Sequence, residues 1–267
     1  MIDALAFLIL LVAIAAVPWA LWRAFGAPAR PAVRAAACLA ITLPVAGVVS
    51  WRFSNARTVQ LFGEIVPRVE TADSVVALTF DDGPLPDATA RILEVLDAHG
   101  ARATFFLNGA QVDAHPEAAR RIVAAGHEVG NHSYTHPMML GLSLTRIRDE
   151  IEHTDAALRR AGHAGPIHFR SPYGKKYAAL PYHLATTGRT NVFWDVEPET
   201  FPEIARDAER IAAHVLAEVR PGSIVLLHMM GASRAESLRA VPAIVEGLHA
   251  RGYRLVTVSD LMARTRG

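Results

Sequence analysis

Cysteine is almost absent from this chain: Cys38 is the single one in 267 residues. One thiol excludes an intrachain disulfide framework and a zinc site built from cysteines, so any metal must be held by histidines and carboxylates. The missing disulfides do not decide the compartment. An excess charge of either sign is missing too. The formal net charge is +1 and the basic residues are spread along the chain, which leaves no stripe of Lys and Arg for a nucleic-acid surface. Internal repeats and low-complexity segments are absent beyond an apolar, Ala-rich N-terminus.

That N-terminus is the first feature present. Residues 2–22 are almost wholly apolar with only Asp3 charged, close to the ~20 residues a helix needs to cross a bilayer. The run lacks a basic N-terminal region and exceeds the ~7–15 residues of a signal-peptide core, which favours an anchor over a cleaved leader. A second run, residues 35–51, carries no charge and contains Pro44, which a spanning helix tolerates. Arg23, Arg30 and Arg34 lie between the runs, so the positive-inside rule puts that short loop in the cytoplasm and the remainder of the chain on the periplasmic or extracellular side; Arg52 and Arg57 after the second run reduce the bias. The expected organisation is a membrane anchor over residues 1–51, a linker over 52–72 and one catalytic domain over 73–262.

Behind the linker, β-branched and aromatic runs recur at Val75–Phe80, Ala103–Leu107, His127–Gly130, Ile167–Arg170, Thr190–Val196, Ser223–His228 and Arg254–Val258. Amphipathic stretches separate most of them: Asp87–His99, Pro116–Ala125, Ser143–Ala161, Ile204–Val219 and Ser237–Arg251, with Gly100, Gly126, Gly162 and Gly252 as C-terminal stops. Strand and helix in alternation predict an α/β fold with a parallel sheet, closed as a barrel or left open and doubly wound.

Chemistry-bearing residues cluster where those strands end. Asp81 and Asp82 follow the first strand in Thr79-Phe80-Asp81-Asp82-Gly83-Pro84, and neighbouring positions point different ways and can serve different roles. An ordinary Asp-Gly-Pro turn has the same sequence. His132 and His136 are spaced to face one side of a helical turn and share a divalent ion, although close pairs also arise by chance among 12 histidines. With Asp82 they form a set of two nitrogens and one oxygen, the number of protein ligands of a hydrolytic site that keeps one position open. Asp81 then remains free as the general base. An oxyanion formed on a carbonyl needs donors, and a backbone N–H in the turn Pro172-Tyr173-Gly174 is a candidate, with Tyr173 as a packed wall residue the alternative. Arg170 either pairs with a catalytic carboxylate or makes a structural salt bridge. His228 ends a buried-type strand and is the candidate general acid, against a neutral core histidine. Asp81, Asp82, His132, Arg170, Glu197 and His228 all fall at or just after different strand ends, where α/β folds place active sites.

Taken in order, these motifs resemble the polysaccharide deacetylases with a NodB homology domain, carbohydrate esterase family 4, over the whole expected catalytic domain. The motifs that match are Thr79 to Pro84, His132 to His136, Arg170 to Gly174 and Leu226-Leu227-His228. The resemblance implies a distorted (β/α) barrel of about seven parallel strands. It implies Asp82, His132 and His136 on a divalent ion, zinc in the family, with cobalt or another divalent ion as alternatives. It makes Asp81 the base, His228 the acid, Arg170 the residue orienting a catalytic carboxylate, Tyr173 a backbone donor to the oxyanion and Leu226 part of the acetyl-methyl pocket. A further motif departs from the family pattern, because Glu197 and Phe201 stand where Asp and Trp are usual; the resemblance then implies Glu197 as the catalytic carboxylate paired with His228 and Phe201 as a pocket wall shaped for a different sugar.

The implied reaction is removal of N-acetyl groups from N-acetylhexosamine units of an envelope polysaccharide, chitooligosaccharide or peptidoglycan-type glycan by a membrane-anchored enzyme. A de-O-acetylase acting on xylan, or a deformylase acting on a lipid-linked amino sugar, would use the same chemistry. A catalytically silent glycan-binding module is the alternative of another class. The expected partners are the N-acetylated glycan and the bilayer, with no protein partner implied.

Overall fold

The computed structural model describes residues 31–229 and 234–264, together with positions 16, 19, 22 and 23. Apart from Ala16, Trp19 and Trp22, the first apolar run therefore lies outside the described residues. The second lies inside helix α1, Pro31–Ser54, whose 24 residues include Pro44. At about 1.5 Å per residue it is about 36 Å long, enough to cross a ~30 Å hydrocarbon core. Its most apolar window has a mean hydropathy of 1.9 and is only 12% buried. Side chains such as Leu43, 65% exposed, are not covered by other described residues. A helix of this kind is not the core of a soluble domain.

The remaining elements follow in the order β1 (Ile65–Val66), β2 (Val75–Asp81), α2 (Pro86–Ala98), β3 (Thr104–Leu107), α3 (Gly109–Ala114), α4 (Pro116–Ala124), β4 (Glu128–Asn131), α5 (Leu144–Arg160), α6 (Ala179–Thr186), β5 (Asn191–Val192), α7 (Ala208–Glu218), β6 (Ile224–His228), α8 (Ala235–Ala250), β7 (Arg254–Leu255) and α9 (Val258–Met262). The alternation expected from the sequence is present and its strands pair in parallel, in the order β4-β3-β2-β6, with β7 also on β2 and β1 on β5. Single parallel bridges connect Asn131 to Phe169, Phe169 to Asn191, and Val196 to Val225.

Several expected strands are shorter than their apolar runs. Ile167–Arg170 contributes only the bridges at Phe169, and Thr190–Val196 reduces to β5 and the bridge at Val196. Arg254–Val258 stops at Leu255 because the Thr257 hydroxyl accepts the Asp260 N–H and caps α9. The stretch from Ile204 begins its helix only at Ala208, since Asp207 accepts the N–H groups of Glu209 and Arg210 at 2.9 and 3.1 Å. Residues 52–72, read as a linker, hold the end of α1 and strand β1, whose Ile65 pairs with Asn191.

Period-two alternation of side chains explains how this sheet carries a site. On β2, Val76, Leu78 and Phe80 enter the core shared with the covering helices, while Val75 and Ala77 enter a second core with Phe106, Phe193, Trp194 and Leu226. Thr79 and Asp81 continue that second face. On β6 the same rule sends Val225 and Leu227 to the helices and Ile224, Leu226 and then His228 inward. Parallel register sets Asp81 beside His228. All seven residues of β2 are buried, as expected of a central parallel strand.

Candidate active site

The inward ends of β2 and β6 open into a cavity of about 450 Å³ lined by Asp81, Asp82, His132, His136, Leu226 and His228, with Tyr173 and Trp194 on its walls. The strand ends are thus brought together as the sequence suggested, and three linked arrangements can be followed from them.

The first is an ion pair. Arg170 is fully buried at 0% exposure. Its Nη1 donates to Asp81 Oδ1 at 2.6 Å and to Thr79 Oγ1 at 2.8 Å, Nε donates to Val192 O at 3.1 Å, and Nη2 to Phe193 O at 3.1 Å. The guanidinium lies 4.0 Å from the centre of the Phe106 ring. Burial raises the Asp81 carboxyl above its ordinary range, opposed by Arg170 and His228. Asp81 Oδ1 is held, and Oδ2 lies 3.6 Å from His132 Nε2.

The second is a three-donor cluster. One ligand atom each of Asp82, His132 and His136 lies within 4.8 Å of the others. Asp82 Oδ1 is 3.9 Å from His132 Nε2 and 3.5 Å from His136 Nε2. Donors at ~2.1 Å from a tetrahedral ion would be about 3.4 Å apart, and the two Asp82 distances are close to that spacing. The protonation also fits. His132 Nδ1 donates to Arg170 O at 2.8 Å, leaving the Nε2 lone pair facing the cluster. Burial lowers the His132 pKa to about 3, so the ring is neutral.

The two histidines are not on a helical turn, contrary to their spacing. They flank a loop in which Ser133 and His136 adopt positive φ of 65° and 55°. Its amides are pinned from outside: Asn131 Oδ1 accepts the Ser133 N–H at 2.8 Å, Ser133 Oγ accepts the His136 N–H at 3.1 Å, and the buried Glu150 accepts the N–H groups of Tyr134 and Thr135 at 2.8 and 2.7 Å. These bonds hold a conformation that L-residues otherwise disfavour.

The third is a carboxylate–histidine pair. His228 Nδ1 is in a short contact with Glu199, whose Oε1 also accepts the His228 N–H at 3.2 Å, and Ser237 Oγ and Arg234 bind the same carboxylate. Burial disfavours the imidazolium, but Glu199, with the carboxylates of Asp81 and Asp82 adding to it, outweighs burial and raises the His228 pKa. Burial also opposes the Glu199 charge, and His228, Ser237 and Arg234 together lower its pKa.

Two expectations are corrected here. Glu197 does not pair with His228: its Oε2 accepts from Arg57 at 2.6 Å, Trp194 Nε1 at 2.8 Å and Thr200 Oγ1 at 2.7 Å. Phe201 is not among the lining residues; its ring is 41% exposed and sits 5.2 Å from His214. The reason is the 3-10 turn Pro198–Thr200, which Glu197 precedes and in which Glu199 is the middle residue, so the two carboxylates leave the chain in different directions. Sequence reasoning also missed Asn55, Arg57, Trp194 and Arg234 as lining residues; a second carboxylate two residues beyond Glu197 was the available signal for Glu199.

Tyr173 has φ 57° inside the turn Pro172–Gly174 and is 60% exposed. Its ring lies 4.5 Å from that of His136. Gly174 N–H donates to Ser171 O and Lys175 N–H to Pro172 O, leaving the Tyr173 N–H without a partner among the described residues.

The description "Polysaccharide deacetylase" belongs to the family model that matches residues 68–192. A chitooligosaccharide deacetylase of Bradyrhizobium sp. (strain ANU 289) is 38% identical over 198 residues, covering 70% of this chain and 90% of the relative. The solved Bc1960 peptidoglycan N-acetylglucosamine deacetylase superposes with a TM-score of 0.70 at 30% identity, covering 75% of this chain and 94% of that one. Wild-type BA3943 of Bacillus anthracis, described as a CE4 family pseudoenzyme, superposes with a TM-score of 0.68 at 28% identity over 77% of this chain and 70% of its own. The chain belongs to the polysaccharide deacetylase family, carbohydrate esterase family 4, and is a carbohydrate deacetylase.

Proposed function

We propose that the chain is a membrane-anchored, metal-dependent hydrolase that removes N-acetyl groups from N-acetylhexosamine units of an envelope glycan, with peptidoglycan-type polymers and chitooligosaccharides as the substrate class. The observation that carries this is the Asp82, His132 and His136 donor set opening into the same cavity as the Asp81–Arg170 and His228–Glu199 pairs. A pseudoenzyme shares the fold, so the fold does not supply the chemistry by itself; the residues in the cavity do.

Asp82, His132 and His136 would hold the divalent ion, zinc or cobalt, which supplies Lewis acidity and acidifies water. Asp81 takes a proton at Oδ2, the oxygen that Arg170 leaves free. The Tyr173 N–H donates to the developing oxyanion. Leu226, buried on the cavity wall, meets the acetyl methyl. His228, with Nδ1 held by Glu199, gives a proton from Nε2 to the departing amine. Water thus adds across the amide, and acetate and a free amino sugar leave.

The anchor reading rests on α1 and its exposed apolar surface, with the first apolar run as a second span, a catalytic domain over residues 73–262 and that domain on the periplasmic or extracellular side. The full chain is expected in the carbonate-washed membrane pellet. Extracted with detergent, it should release acetate from N-acetylglucosamine oligomers or peptidoglycan fragments, lose that activity to a chelator and regain it with zinc or cobalt. Formate in place of acetate would assign a different acyl group, and no divalent metal binding under any condition would overturn the catalytic reading.

Glu199→Gln tests the acid. A general acid must be protonated, so activity falls as pH rises through the raised His228 pKa. Without the carboxylate that raises it, the alkaline limb of the kcat/KM profile should move to lower pH. An unmoved limb would remove His228 from the role of acid.

A further inference from the structure

One wall of the cavity comes from the segment that follows the apolar helix instead of the strand ends. Asn55 directly follows α1, and Asn55 and Arg57 line the cavity beside Trp194 and Glu197. Among the described residues no strand pairs with residues 55–58, so other contacts hold them. The residues after the Arg170 to Gly174 motif do so. Lys175 Nζ donates to Asn55 Oδ1 and lies 3.9 Å from the centre of the Trp51 ring. Lys176 N–H donates to Ser54 O at 3.2 Å and its Nζ to Ala56 O. Tyr177 meets the Phe53 ring edge-on at 6.1 Å, and its hydroxyl lies 3.3 Å from Ser50 Oγ.

Lys176 is fully buried, at 0% exposure. A buried ammonium is costly unless its protons are bonded, and it is absent from the cavity lining, so the bond from its Nζ to Ala56 O is what the side chain supplies, beside the main-chain bond to Ser54 O. Arg57, further along, sends Nη2 to Glu197 Oε2 at 2.6 Å with its guanidinium 5.0 Å from the Trp194 ring. Its other N–H groups have no protein partner among the described residues, and its side chain stays 38% exposed on the cavity wall. A guanidinium fixed by a carboxylate and an aromatic face, with free donors over a cavity, is arranged to bind a neutral or anionic oxygen.

We propose that Lys175 and Lys176 clip the end of the apolar helix onto the catalytic domain, so that Arg57 serves as a substrate-positioning residue donating to an oxygen of the bound glycan. The inference rests on the deacetylase reading above. The test uses the full chain in detergent with N-acetylglucosamine oligomers. Arg57→Ala should raise KM about ten- to a hundredfold, the loss of a hydrogen bond from a charged donor, with kcat within a few-fold. Arg57→Lys, which can still pair with Glu197 but lacks the fork, should recover part of the loss. Lys176→Met lies outside the cavity and should raise KM in the same direction at unchanged metal content; if its thermal midpoint collapses, Arg57→Ala alone decides. An unchanged KM in Arg57→Ala overturns the inference. If wild type releases no acetate, the deacetylase reading fails first, and oligomer binding by titration calorimetry decides: equal Kd in wild type and Arg57→Ala, or no binding by wild type, overturns the positioning role.

Discussion

Asp81→Asn is expected to keep its divalent ion and to lose about 10²–10⁴-fold in kcat, the usual worth of a general base. Asparagine is nearly isosteric with aspartate and still offers an oxygen to Arg170 Nη1, which now sits 2.6 Å from Asp81 Oδ1. It offers nothing that can take a proton. The three ligand positions are untouched, so metal content measured by elemental analysis and turnover measured by acetate release should separate. Loss of metal together with activity would make Asp81 a ligand, on the strength of the 3.6 Å between its Oδ2 and His132 Nε2. Undiminished turnover would remove Asp81 from the role of base and leave it the buried partner of Arg170.

Arg170→Met is expected to destabilise the fold by about 3–5 kcal/mol, because it leaves Asp81 buried without its counter-ion. Asp81 is 2% exposed, and the same substitution strands the carbonyls of Val192 and Phe193, which now accept from the guanidinium. For a chain of this size that corresponds to a fall in the unfolding midpoint on the order of 10 °C. Methionine fills much of the volume over the Phe106 ring, so a cavity is not the main cause. The His132 tautomer should survive, since Nδ1 donates to the backbone oxygen of residue 170 and not to its side chain. The double variant Asp81→Asn with Arg170→Met should be less destabilised than the sum of the two, as residues in contact couple. A single variant as stable as wild type would mean that the pair does not hold the strand ends together.

The two effects share a cause in the alternation of the strands. Burial makes Asp81 reactive and also makes it dependent on Arg170, so chemistry and stability are joined at one contact. The His228–Glu199 pair is different, since Glu199 is also held by Arg234 and Ser237, and its substitution reads out as a pH profile.

Much of this was legible from the chain alone. The run Val75 to Phe80 followed by two carboxylates fixes a buried parallel strand with Asp81 at its end, since side chains alternate along any strand and a buried one must be apolar on both faces. The same rule on Ile224 to His228 points His228 to the face of Leu226. The glycines that stop the helices needed only their freedom at positive φ, as at Gly100 and Gly162 with φ of 58° and 98°. Cysteine's near absence left histidines and carboxylates as the candidate ligands of any metal. Local rules sufficed wherever the determinant was local.

Tertiary structure decided the rest. Glu197 and Glu199 are equivalent as residue types, and only the 3-10 turn Pro198–Thr200, set against β6 and α7, delivers the second to His228 and leaves the first to Arg57 and Trp194. The spacing of His132 and His136 suggested a helical turn, whereas bonds from Asn131, Ser133 and Glu150 impose a loop. Asn55 and Arg57 reach the cavity because Lys175 and Lys176, about 120 residues further along, hold them there. A sequence specifies periodicity through its neighbours, but a hydrogen bond between distant segments depends on register and packing that no local pattern encodes.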